Sequence, residues 1–282
     1  MKKSKISKAI AIAVTGTVFS VGAVSTASAH VMYNKFTTSD PGDTDGWVWG
    51  GIGATSSGDP ANANPGFAGT TGGAAPFGYT GASHLNWAAM IHNAGDSLTV
   101  SAADAQADYG ITAEIDTAQG AWFDGTTGWK HQTDVGLIKS MVTQNVTLNL
   151  TTLDASKISK FGISIFDGMD QTQTGYGHHG KWNDSTTAPV GTDNPFYGGA
   201  PGQLAYITSS DNVTDTLGLT FTAQAGDIYS VYLGGTTPGS WLAPVAGYEL
   251  NISTSPVPVP AAVWLFGSAM AGLGVAGRRK KS

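Results

Sequence analysis

The chain has 282 residues, 41% of them hydrophobic, with no cysteine and a formal net charge of −6. Charged residues make up only 12%, about half the usual share, and the 39 glycines are roughly twice the average usage, which excludes a coiled coil and an acidic disordered chain. Eight of the 14 basic residues stand at the two ends, leaving six against 20 acids in the body; a body of −14 repels phosphate backbones and sets nucleic-acid binding aside.

Taken in chain order, Lys2, Lys3, Lys5 and Lys8 form a basic start, Ala9 to Val24 an apolar core, and Ala27-Ser28-Ala29 an A-x-A cleavage site. This is the pattern of a secretory signal peptide over residues 1–29. An exported chain without cysteine has no disulfide to staple it, so its stability rests on its core, on metal or on assembly. Residues 30–110 read as a Gly/Ala/Ser-rich first part of the body. Between Ser39 and Ala82 no helical or strand period survives, which predicts long loops anchored by scattered aromatics such as Trp47, Trp49, Phe67, Phe77 and Tyr79.

Period-two alternation then appears. Leu98 and Val100 alternate with polar neighbours, as do Val146, Leu148 and Leu150. Ile163 and Ile165 follow, then Leu217, Leu219 and Phe221, then Ile228 to Leu233, and lastly Tyr248, Leu250 and Ile252. Turns such as Gln224-Ala225-Gly226-Asp227 separate them. The expectation is an all-β fold, an antiparallel β-sandwich over 111–255 behind the Gly-rich region, with no useful helical period in the body. Its final strands resemble the small extracellular β-sandwich modules of the pre-peptidase C-terminal type, which says little about chemistry.

The last segment, 256–282, has prolines at Pro258 and Pro260, an apolar run from Ala261 to Gly277, and Arg278-Arg279-Lys280-Lys281. An apolar helix of that length is near the lower limit for a transmembrane span, and the basic cluster after it favours the cytoplasmic side. With Trp264-Leu265-Phe266-Gly267-Ser268 after the prolines, the stretch resembles the PEP-CTERM sorting signal, Pro-Val-Pro replacing Pro-Glu-Pro. That resemblance implies an exosortase-type partner and delivery to the cell surface, the outer envelope or the extracellular matrix, anchored or released.

Nucleophilic catalysis finds no support. There is no cysteine, no Gly-x-Ser-x-Gly elbow, no Walker or dinucleotide glycine pattern, and paired carboxylates can be chosen at will from 20 acids. No enzyme is expected. Asp167-Gly168-Met169-Asp170 offers carboxylates to a calcium ion but lacks the EF-hand loop, and a solvated turn is the plainer reading.

The six histidines are His30, His84, His92, His131, His178 and His179, and without cysteine a transition-metal site must use imidazole, which suits copper and zinc. On a strand after Thr126-Thr127-Gly128, Trp129 and His131 share a face. His178 and His179 lie in a Gly-rich turn, where one of them joins His131 or both remain a surface pair. Gly128-Trp129-Lys130-His131, the strands after it and a later histidine resemble the MopE/CorA family of surface copper proteins of methane-oxidising bacteria. The resemblance implies that Trp129 is oxidised to kynurenine and that, with His131 and His179 (His178 being the alternative), it holds copper, chiefly Cu(I). It also implies a di-haem peroxidase-type partner. Two neutral imidazoles and a weak third donor suit a low-coordinate site of this kind.

Two other readings stand beside it. One is a structural matrix protein with PEP-CTERM export and incidental histidines. The other starts from cleavage after Ala29, which leaves His30 at the mature N-terminus, where its amine and imidazole could chelate copper with His84 or His92. That is the histidine brace of lytic polysaccharide monooxygenases, although Val31-Met32-Tyr33-Asn34 does not match that family's opening.

Overall fold

The structure is a computed structural model that describes residues 28–35, 66–80, 85–122, 133–169, 204–239 and 244–258, together with Phe266. In chain order its strands are β1 (His30–Asn34), β2 (Phe67–Ala68), β3 (Trp87–Ile91), β4 (Ser97–Val100) and β5 (Asp116–Ala118). After these come β6 (Asp134–Ser140), β7 (Gln144–Thr152), β8 (Phe161–Asp167) and β9 (Ala205–Val213). The last are β10 (Leu219–Ala223), β11 (Ile228–Gly235) and β12 (Val245–Pro256).

Two sheets form. The seven-stranded sheet has the order β2-β1-β3-β6-β11-β8-β9, and the other runs β10-β7-β12-β4, with β5 also paired to β12. Strands from either side of residue 110 thus join in both sheets, β3 beside β6 and β4 beside β12. Among the strands named above, pairing is antiparallel except between β3 and β6. β3 runs parallel to β6, from Trp87 opposite Gly136 to Ile91 opposite Ser140, because the chain crosses to the second sheet through β4 before returning.

The sheets differ in how many faces they bury. In β7, buried Val146, Leu148 and Leu150 alternate with half-exposed polar residues, and β10 and β12 share that pattern. One face is wet, so the period shows in the sequence. Strands β3, β6, β8 and β11 are buried on both faces. Their inner residues, among them Ala89, Ile138, Ile165 and Val231, pack against Leu148, Leu250 and Ile252 of the other sheet. Their outer residues, among them Leu137, Phe166 and Tyr232, pack under Phe67, Tyr79, Leu85 and Trp122. Phe67 and Tyr79 are buried anchors of the Gly-rich region, which adds two 3-10 turns at Thr71–Gly73 and Pro76–Gly78.

Two expectations need correction. Leu217 does not belong to the inward-facing series with Leu219 and Phe221; it lies in the turn before β10 and is 52% exposed. The body also contains a helix, α1 (Ala102–Tyr109). Its first turn is capped by Ser101, whose hydroxyl accepts from the Asp104 amide at 3.0 Å. It ends at Gly110, which takes the left-handed conformation with φ +66°. Only Ala105 of the helix is fully buried, so no apolar stripe betrays it. Ser101→Ala is expected to cost about 1 kcal/mol through the lost cap, read as a lower urea midpoint; an unchanged midpoint would mean that α1 docks without it.

Among the described residues no helix is long and apolar enough to cross a membrane. The apolar tail apart from Phe266, like residues 1–27, lies outside them.

Candidate metal centre

Trp129, His131, His178, His179 and His84 all lie outside the described residues; the segments that carry the first four attach to the seven-stranded sheet. The segment 123–132 begins after Trp122, which is buried and donates through its indole N–H to Ser164 Oγ at 3.2 Å. It ends at Thr133, whose hydroxyl donates to the Ala121 carbonyl at 3.3 Å, so its two ends are tied together.

The segment 170–203 leaves from the end of β8 and returns into β9, where Asp167 is opposite Ala205. β6 and β8 both run antiparallel to β11, with Asp134 opposite Leu233 and Asp167 opposite Tyr229. The two attachments therefore lie at different ends of the sheet, four residues or roughly 13 Å apart along β11.

Among the described residues no three His, Asp or Glu side chains group closely enough to share a metal ion. The calcium turn falls only partly among them. Asp167 ends β8 and Gly168 turns with φ +96°, while Asp170 is outside the described residues.

Two histidines that are described do meet. His30 at the start of β1 and His92 just after β3 have ring centroids 5.6 Å apart and planes inclined by 24°. Of the two partners weighed for His30, His84 lies outside the described residues and His92 is the one placed beside it.

A second polar feature had no signal in the sequence. Asp134, at the start of β6, is fully buried and accepts a hydrogen bond from the Tyr248 hydroxyl of β12. The Trp87 indole N–H in turn donates to Tyr248 at 3.1 Å. Burial, reinforced by the charge of Asp116 and Glu114, raises the Asp134 carboxyl well above the ordinary carboxylate range. Burial and the neighbouring Asp134 raise the Tyr248 phenol as well, so the group that suits this interior is a neutral acid beside a neutral phenol. It is a structural knot between the sheets, not a cation cradle. Asp134 is one of 20 acids in the sequence, and only burial singles it out.

No protein-family model and no curated protein sequence matches the chain. Among solved structures, the chain has a likeness to CorA, a surface-associated copper-binding protein important in copper acquisition by Methylomicrobium album BG8. The match has 14% identity and a TM-score of 0.31, and covers 60% of this chain and 98% of that one. A likeness of that size identifies neither a shared site nor shared chemistry.

Proposed function

We propose that the protein is an exported, surface-associated copper-binding protein that captures copper outside the cytoplasm and is not an enzyme. The observation that carries this reading is the combination of Trp129-x-His131 with His178-His179 in a cysteine-free chain bracketed by an export signal and a sorting signal. The site is Trp129 as kynurenine, His131, and His179 with His178 as the alternative. Two neutral imidazoles and a weak nitrogen donor favour Cu(I), and the acidic body adds a modest attraction for cations. A di-haem peroxidase-type protein supplies the oxidant for Trp129, and exosortase-type machinery handles the tail.

Copper analysis of protein purified from its native host tests the reading. It predicts one Cu(I) per chain, a modified Trp129 by peptide mass spectrometry, loss of that Cu(I) in His131→Ala, and its retention in His84→Ala. Protein without stoichiometric copper and with Trp129 intact overturns it and leaves a structural matrix protein whose histidines are incidental.

A further inference from the structure

The His30–His92 pair is built by strand register. β1 and β3 pair antiparallel with His30 opposite Met90. Along β1, Val31 and Tyr33 face the inter-sheet core and Met32 the outer cluster, so His30 stands on the outer face. Along β3, Ala89 and Ile91 face inward, Ala88 and Met90 outward, and His92 continues the outward series beside His30. Met90 thus shares a face with both rings. Lys139, opposite Met90 on β6, turns its ammonium to the Phe77 ring, 5.6 Å from the centroid.

The two rings are stacked with centroids 5.6 Å apart, a spacing that two imidazoles on one ion, with nitrogen–metal distances near 2.0–2.1 Å, also allow. The observation that points to a ligand is His92 Nε2, which is buried with no hydrogen-bond partner among the described residues, an arrangement that favours binding something there.

Cleavage after Ala29 completes the donor set. The His30 Nδ1 lies 3.4 Å from the Ser28 carbonyl, a neighbour that leaves with the signal peptide. The same cut exposes the α-amine of His30, a base with a pKa near 8 that deprotonates readily on binding. Amine and Nδ1 of one histidine close a chelate ring, and His92 supplies a third nitrogen. Three nitrogens without thiolate bind copper(II) above zinc by the general order of divalent affinities.

We propose that the mature N-terminus is a second metal site, in which the α-amine and imidazole of His30 and the imidazole of His92 bind copper(II). It shares only export with the proposed function and is separate from the site at His131.

The test uses the exported chain in the His131→Ala background, so that the other site is silent. Its N-terminus is read, and Cu(II) and Zn(II) are titrated in separately, with electron paramagnetic resonance reporting nitrogen ligation. The expected result is a chain starting at His30, one Cu(II) with nitrogen hyperfine structure, weaker Zn(II), and a loss of about tenfold or more in Cu(II) affinity in His30→Gln and in His92→Ala. His92→Asn carries the same arm where the Ala variant does not fold. An N-terminus other than His30, Zn(II) bound as tightly as Cu(II), or unchanged Cu(II) affinity in the folded His30 and His92 variants would each overturn the assignment. Retention of Cu(I) by His131→Ala in host-purified protein counts against the proposed function alone.

Discussion

Trp87→Ala is expected to cost about 3–5 kcal/mol, read from the urea midpoint at unchanged m-value. Trp87 is completely buried in β3, and its indole fills the space that Gly136 leaves on the parallel neighbour β6. A Cβ at Gly136 would lie 2.1 Å from the ring, so glycine is required there by close approach and not by an unusual backbone. The indole N–H also reaches Tyr248 on the opposite sheet at 3.1 Å, so the substitution removes both volume and a buried donor. Gly136→Ala alone is expected to cost about 1–3 kcal/mol or more by overpacking, and much less once Trp87 is Ala. Strictly additive costs in the double variant would show that the indole does not set the requirement for glycine.

The second large effect concerns pH. Asp134 prefers its neutral form in the fold, because burial raises its pKa and the nearby Asp116 and Glu114 push it further in the same direction. A group whose folded pKa is raised contributes its full stability below the unfolded carboxyl value near 4. That contribution is lost as the pH rises to the folded pKa, at about 1.4 kcal/mol per pH unit. Asp134→Asn keeps an oxygen to accept the Tyr248 hydroxyl and has no proton to lose. It is expected to remove that slope and to equal or exceed the wild-type stability at pH 7. Tyr248, raised above the ordinary phenol range, stays neutral throughout the window. Denaturant midpoints of both proteins from pH 4 to 8 decide the matter; parallel curves would place the titration elsewhere.

The strands read most easily in the sequence are those with one wet face. Residues Val146 to Leu150 and Tyr248 to Ile252 alternate because the second sheet meets solvent on one side. The strands at Trp87–Ile91 and Asp134–Ser140 are covered on both sides, so no polar period marks them. The helix after Ser101 is hidden for a different reason: with one buried alanine it has almost no apolar face to display.

Chemistry divides in the same way. Residue type alone, in a chain with six histidines and no cysteine, restricts a transition-metal site to imidazole, and the Trp129-x-His131 motif is legible because its residues are neighbours in the chain. His30 and His92 are 62 positions apart, and in sequence His84 is as good a partner as His92. The antiparallel register of β1 on β3, with His30 opposite Met90, places His92 beside it. The pairing of Asp134 with Tyr248, 114 positions apart, likewise exists only through the packing of one sheet on the other. Composition and local pattern determined the strands with a wet face and the types of available ligand. The tertiary structure decided which distant side chains meet and which acid loses its water, because contact and burial depend on strand register and sheet packing across long separations in the chain.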